Sequence, residues 1–434
     1  MASVVFYFQV HQPYRLRRYS VFDSDPLYFD DSKNAEICRK VASKCYLPAT
    51  RLILDLVRRH AGAFRVSFSL SGTALDQFES FCPELLDVFR ALSASGCCEF
   101  LGETDSHSLA FIHSREEFRE QVDLHTARIV RTFGQTPRVF RNTELIYSNA
   151  LAEELSRMLD ESGRPRWAGA ICEGTDRHLG YRTPDVVYKP PKVGGYDLRG
   201  RDGRLFALLL KNYRLSDDIA FRFSNRGWAE WPLTPEKFAS WVDRLNETTG
   251  EAGSSRFCNL FMDFETFGEH QWAETGIFRF LDQLPEKILA GGRNDFLTVS
   301  QALERAAPAG EFDVPEPTSW ADTERDLSAW NANAMQAGAL EEIYRLEKPI
   351  KDRLARTEIE CRSGGDASRR RLDAAAQLLA DWRRLTTSDH FYYMSTKYFA
   401  DGDVHKYFNP YDSPYDSYIN YMNVLDNLRT RLAQ

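Results

Sequence analysis

Two acidic residues, two positions apart in an apolar run, carry the most chemical information in this sequence. In NLFMDFETFGEHQW, Asp263 and Glu265 share a face if the run is a β-strand, because strand side chains alternate between sides. Like charges so close raise the pKa of at least one of them. A carboxyl group that keeps its proton near neutrality can act as a general acid. A solvated strand end with Glu265 in an ion pair accounts for the same residues without catalysis. A second acid, Glu144, ends the apolar run of VFRNTELIYSN, where a carboxylate is costly unless paired, solvated or used. Regular strand alternation sets Arg141 and Glu144 on opposite faces. The plain alternative for Glu144 is a strand-end residue that caps the next helix.

Glycoside hydrolysis needs two carboxyl groups with different proton affinities. One attacks or stabilises the anomeric carbon and the other protonates the leaving oxygen, ~5–5.5 Å apart in retaining enzymes and ~6.5–9.5 Å in inverting ones. The 63 Asp and Glu residues offer too many pairs, so position must choose among them. Three further polar residues follow apolar runs. His11 is followed by Pro13, which favours an extended exit, while Glu103 and His107 lie in FLGETDSHSLA. A satisfied core histidine, or an N-cap at Thr104, Asp105 or Ser106, explains these equally well.

The elements that must position these groups alternate. VVFYFQV, FRVSFSL, CCEFLG, RVFRNTEL, AGAIC, LFALLL and NLFMDFET each end in polar residues. Helix-like stretches span 49–60, 73–93, 115–133, 149–160, 235–246 and 272–290. Such alternation predicts a parallel sheet flanked by helices. Seven units suggest closure into a barrel one unit short of the (β/α)8 type, with catalytic groups at the carboxyl ends of the strands. An open doubly wound sheet is the competing architecture. The acidic, Pro/Gly-rich stretch PAGEFDVPEPTSWAD marks a boundary. The expected units are a catalytic barrel over 1–310 and a helical domain over 311–434 that contributes to the substrate cleft. Long helical patterns cover 324–362 and 367–386, separated by SGGDAS, and an aromatic tail follows.

Composition narrows the function classes. Aromatic residues reach 13%, which suits flat platforms for sugar rings, although most aromatic side chains are structural. The net charge of −8 and the lack of a basic stretch argue against nucleic-acid binding. Eight cysteines without a paired CxxC array read as free thiols in a reducing compartment. Residues 4–10 read as a first strand rather than a signal peptide. No run reaches the ~18 apolar residues of a membrane span. A cytoplasmic protein without membrane association is expected.

Five stretches together resemble glycoside hydrolase family 57, in its α-amylase-like branch. FQVHQPYRL resembles the family's first motif and FLGETDSHSLA its second. VFRNTELIYSN resembles the third, whose Glu is the nucleophile, and FMDFETFGEHQ the fourth, whose Asp is the acid/base. ADTERDLSAW with the later TSDHFYYMSTK resembles the last, in the helical domain. Two departures bear on subsites and on hydrolysis versus transfer: WNANAMQ differs from the branch's Trp-Leu-Gly-Asn wording, and His390 stands where branching enzymes carry Trp.

The resemblance implies a (β/α)7 barrel followed by a helical domain, and retaining hydrolysis of α-1,4-glucans. Glu144 would be the nucleophile and Asp263 the acid/base. His11, Glu103, His107, Glu265, Trp272, Trp330, Asp389 and His390 would bind substrate, with no metal or cofactor required. The alternatives are a 4-α-glucanotransferase or branching enzyme with the same carboxyl pair, a metal-dependent hydrolase on a similar partial barrel, and a non-catalytic glycan-binding protein.

Overall fold

The computed structural model describes residues 1–247, 255–362, 366–399 and 409–433. Nine strands form: β1 (Ala2–Val10), β2 (Val66–Leu70), β3 (Cys98–Phe100), β4 (Val139–Arg141), β5 (Gly169–Glu173), β6 (Val187–Tyr188), β7 (Ala207–Lys211), β8 (Arg256–Asp263) and β9 (Asn294–Phe296). The seven apolar runs of the sequence are β1 to β5, β7 and β8. Of the other two, β6 has only two residues, and Asn294 and Asp295 leave β9 without an apolar run. β1 is buried at every position, as expected of a parallel strand covered on both faces.

One sheet runs β3-β2-β1-β8, all parallel, with β9 also pairing β1. The other runs β4-β5-β7-β6, with only β6 antiparallel. Two seams join them. At the first, Gly102 N–H donates to the Val139 carbonyl at 3.0 Å and Arg141 N–H donates to the Gly102 carbonyl at 2.8 Å. A Cβ on Gly102 would lie 2.4 Å from the Trp167 ring, so glycine alone permits this approach. At the second seam the Asn259 side-chain amide donates to the Leu210 carbonyl at 2.8 Å, and Asn212 N–H donates to the Asn259 carbonyl at 2.9 Å. Of the eight parallel strands described, the seven from the apolar runs thus follow one another around a ring with two narrow seams.

Side-chain parity shows what the ring encloses. Val5 and Tyr7 of β1, Leu101, Val139, Ile171, Ala207, Leu209, Phe257 and Phe261 form one apolar cluster drawn from both sheets. The intervening positions face helices: Phe6, Phe8, Leu260 and Met262 on the first sheet, Ala170, Cys172, Leu208 and Leu210 on the second. Continuing that parity to the carboxyl ends puts Gln9, Arg141, Glu173, Lys211 and Asp263 above the interior cluster. Polar groups from five strands converge there.

The helices largely follow the sequence pattern, with informative exceptions. Arg115–Phe133 has the expected bounds. The predicted 73–93 helix is two helices, Gly72–Phe81 and Pro83–Ala94, because Pro83 lacks the N–H that would continue the first. The predicted 324–362 helix is three, Ser328–Asn331, Ala334–Arg345 and Glu347–Cys361. Asn333 starts the second with a capping box to Gln336. Residues 363–365, inside the expected helix break, and 400–408 of the aromatic tail lie outside the described residues.

The C-terminal helices Ala334–Arg345, Glu347–Cys361, Asp366–Leu385 and Pro414–Ala433 share a core containing Trp330, Trp382, Tyr421 and Leu425. They are tied to the ring by charge. Glu117, fully buried, accepts from Arg383 at 2.7 Å and pairs with Lys351 at 2.9 Å. The connecting stretch is more than a linker: Phe312 and Val314 pack in the core outside the second sheet. No disulfide is present, and seven of the eight cysteines are buried. No helix among the described residues is long and apolar enough to cross a membrane.

Candidate active site

Glu144 sits just beyond β4 on a turn, with φ 58° and ψ 28°, and Leu145 follows at φ 50°. The alternation argument fails here because the strand ends at Arg141. A left-handed step then turns Glu144 back toward the side that Arg141 already faces. Left-handed backbone is costly for non-glycine residues and persists where surroundings enforce it. Segment 318–320 is that enforcement, running antiparallel to 144–147. Tyr147 N–H donates to the Thr318 carbonyl at 3.0 Å, Thr318 N–H to the Tyr147 carbonyl at 2.9 Å, and Trp320 N–H to the Glu144 carbonyl at 3.1 Å.

Three side chains donate to the Glu144 carboxylate. Trp320 Nε1 reaches Oε2 at 2.8 Å, while His107 Nε2 and Ser388 Oγ reach Oε1 at 3.4 and 3.3 Å. His107 is itself anchored through Nδ1 to Glu103 Oε2 at 3.0 Å. Burial works against both charges of that pair. Even so, the hydrogen bonds that His107 donates to Glu103 and Glu144 push its pKa up to about 9. The Glu103 carboxyl is held at about 2 by His107, with His125 and Arg141 assisting. For Glu144, burial again acts to raise the pKa, but the bond and charge of His107 and the charge of Arg141 outweigh it. The net shift is downward, and Glu144 stays ionised.

Asp263 closes β8 opposite Gln9 in the register, and its surroundings do the reverse. Burial, followed by the charge of Glu144, raises its pKa to about 6, with Arg141, Lys211 and His107 opposing. Glu144, shifted downward, has the lower proton affinity of the two. Glu265 lies one short helical turn further on and is pushed up to about 8 by burial and by Asp263. Its carboxyl accepts from the Tyr46 hydroxyl, which in turn accepts from Gln12 at 3.0 Å. At neutral pH Glu265 is mostly protonated.

His11 and Asp389 complete the cluster across the two parts of the chain. His11 Nε2 lies 2.9 Å from Asp389 Oδ2, and Nδ1 lies 2.7 Å from Ser71 Oγ. The His11 and His107 rings stack at 3.9 Å. Burial and the neighbouring charge of His107 lower the His11 pKa. The neutral ring therefore donates from Nε2 to Asp389 and accepts at Nδ1, a tautomer assigned from these contacts. Asp389 is held well below the usual carboxylate range: burial opposes this, but His11 and His107 prevail. The segment carrying Ser388 and Asp389 docks on the ring through Ser388 N–H, which donates to the His107 carbonyl at 2.9 Å.

Seven of the ten candidates from the sequence meet here: Glu144, Asp263, His11, Glu103, His107, Glu265 and Asp389. Trp330 lies elsewhere, 1% exposed in the C-terminal helical core. His390 is turned away from the carboxyl pair, packed against Tyr421 and Tyr393, and burial lowers its pKa to about 4. Trp272 is 59% exposed beyond β8, with the Lys44 ammonium 5.6 Å from its ring. Arg141, Trp320, Lys211 and Ser388 also join the site, beyond the residues that the sequence motifs suggest. Lys211 carried a signal, since it ends an apolar run. Trp320 carried none, sitting in the stretch taken as a boundary. Among the described residues no group of three or more His, Cys, Asp or Glu side chains is arranged to hold a metal ion.

Comparison with known proteins follows the same outline. The family described as Glycosyl hydrolase family 57 matches residues 5–315. A curated protein of Methanocaldococcus jannaschii named "Putative alpha-amylase" is 38% identical over 428 residues, which is 97% of this chain and 83% of that protein. Among solved structures, a branching enzyme from Pyrococcus horikoshii superposes with TM-score 0.65 at 14% identity, over 100% of this chain and 94% of that one. An α-amylase from Thermotoga maritima gives TM-score 0.61 at 12% identity, over 100% and 94%.

Proposed function

Because the chain belongs to glycosyl hydrolase family 57, we propose that it cleaves α-1,4-glucans by double displacement, with Glu144 as nucleophile and Asp263 as acid/base. The observation that carries this reading is the unequal proton affinity of the two groups. Glu144 is held ionised chiefly by His107 and Arg141, while burial and the charge of Glu144 raise the pKa of Asp263 to about 6.

The chemistry follows from that inequality. A Glu144 oxygen attacks the anomeric carbon of the glucosyl residue while Asp263 gives its proton to the departing glycosidic oxygen. A covalent glycosyl ester and a free sugar hydroxyl result. Asp263, now ionised, takes a proton from water as that water attacks the same carbon and releases Glu144. Two inversions leave the product with the substrate's α configuration. Both His107 nitrogens are committed to carboxylates, so His107 acts through Glu144. His11 Nε2 is committed to Asp389 Oδ2, which leaves the second oxygen of Asp389 to accept from a sugar hydroxyl.

Hydrolysis, rather than transfer to another sugar, is the reading in keeping with the name of the M. jannaschii relative. Incubation with maltoheptaose tests it. Hydrolysis raises the total of reducing ends, whereas transfer leaves that total constant and refutes hydrolysis. Proton NMR of the first product should show the α anomer, and a β anomer would overturn the double displacement. Glu144→Gln and Asp263→Asn should each abolish nearly all turnover on the same substrate without unfolding the protein.

A further inference from the structure

Trp320 makes the shortest of the three side-chain contacts to Glu144, at 2.8 Å, and the only one to Oε2. Its ring is half-buried and packs on the apolar cluster inside the ring of strands. The Arg141 guanidinium lies 4.9 Å and the Lys211 ammonium 5.3 Å from its ring centre, both within cation–π range. Arg141 is fully buried, and none of its three guanidinium nitrogens has a hydrogen-bond partner. Its charge is compensated instead by the indole face and by Glu103 at 3.9 Å. Lys211 is held from behind by Glu173 and Asp217, each at 3.5 Å. Two cations fixed against one indole withdraw electron density from it and strengthen its N–H as a donor.

We propose that Trp320 is a positioning residue for the nucleophile, fixing one Glu144 oxygen by its indole N–H while Arg141 and Lys211, set against its ring, strengthen that bond. The inference rests on the reading of Glu144 as nucleophile. An indole N–H donates only and does not titrate, so its hold on Oε2 persists across the working pH range. With Oε2 anchored, and Oε1 bonded only by the longer contacts from His107 and Ser388, Oε1 is the freer oxygen to swing toward the anomeric carbon. In the ester that forms, Oε2 becomes the carbonyl oxygen and keeps its indole donor. The charged or titratable groups around Glu144 are Arg141 from β4, His107 from the turn after β3, Asp389 from the C-terminal segment and Asp263 from β8. Deleting the indole N–H leaves all four in the chain, so a change in the Glu144 titration reports the lost bond.

Trp320→Phe keeps an aromatic ring for the two cations and removes the donor. On an aryl α-maltotrioside, whose leaving group needs little protonation, kcat/KM should fall about tenfold to hundredfold. The acidic limb of its pH profile should move to higher pH. Trp320→His, which returns an N–H, should recover part of the loss. A merely structural role would lower the melting temperature and leave the acidic limb in place. An unmoved limb, with kcat/KM within about twofold of the parent, overturns the proposal. A second measurement covers the case in which Trp320 variants do not fold. In protein labelled with 15N-tryptophan, one indole N–H resonance should move upfield when Glu144→Gln replaces the carboxylate acceptor with an amide oxygen, and no such shift overturns the proposal. If Glu144→Gln retains turnover, the nucleophile assignment fails. If Glu144→Gln is inactive while Trp320→Phe is unaffected, this inference alone fails.

Discussion

The two sides of the site are built from similar residue types, yet their carboxyl groups are shifted in opposite directions. On the β4 side, Glu144 meets donors from three separate stretches of chain: His107 after β3, Trp320 in the connection and Ser388 in the C-terminal segment. On the β8 side, Asp263 and Glu265 meet another carboxyl group, a phenol and low-polarity packing, and both are shifted upward. A carboxyl group's role is therefore set by which elements deliver donors to it. Both sides are buried, so burial alone does not distinguish them.

The sharpest way to break this contrast is to remove its charged member. Glu144→Gln should cost about 10^4-fold or more in kcat. It should also lower the Asp263 pKa, because the charge that raises it is gone. Titration of Asp263 by carboxyl-selective NMR in that variant checks the second effect.

Next in size is His107→Asn, which takes both a donor and a positive charge from the Glu144 side. It should reduce kcat/KM about tenfold to hundredfold. The sign of the pH change is fixed. Activity requires ionised Glu144, so it rises as pH passes upward through that pKa. It also requires protonated Asp263, so it falls as pH passes upward through about 6 in the free enzyme. His107 lowers both values, so its loss should move both limbs of kcat/KM to higher pH. Movement in opposite directions would contradict the electrostatic account.

A stability change that spares the chemistry separates holding the regions together from holding a proton. Glu117→Gln strands Arg383 and Lys351 at the interface between ring and C-terminal helices. Each keeps a second acidic partner, Glu120 for both. The expected cost is about 2–3 kcal/mol of unfolding free energy, below the usual range for a fully orphaned buried ion. Denaturant melts should show it, with the pH limbs unmoved at temperatures where the variant is folded. The smallest effect belongs to Glu265→Gln. Glu265 stays protonated until about pH 8, so replacing it with a neutral amide should move the Asp263 limb by less than about half a unit.

Much of this arrangement was legible in the residues. Seven apolar runs became the seven strands of the ring, and polar residues at their ends became the site, because a strand buried on both faces reads as a continuous apolar word. The two seams were not legible. Each depends on one residue, Gly102 for its missing Cβ and Asn259 for its amide, and a glycine or a lone amide in such a run does not say which strand it will meet. The Arg141–Glu144 relation was misjudged because alternation was carried past the end of β4 into a left-handed turn. Trp272, Trp330 and His390 show the limit of choosing residues by type and motif: one is exposed and two are buried away from the carboxyl pair. The family assignment holds. The division at 310 and the cytoplasmic location remain expectations from the sequence.

The left-handed step at Glu144 and Leu145 has a consequence for how the protein can be taken apart. The backbone there is braced by Thr318 and Trp320, residues that arrive only after every strand of the ring has been laid down. A chain ending at residue 310 would retain the described strands and both acids, yet the 144–145 peptide would keep only the turn's own bonds, Ile146 N–H to the Thr143 carbonyl and the Asn142 amide to the Ile146 carbonyl, and would lose the pairing that braces it from outside. The posture of the proposed nucleophile is thus supplied late in the chain, and transplanting the ring alone into another protein would carry over the acids without their alignment.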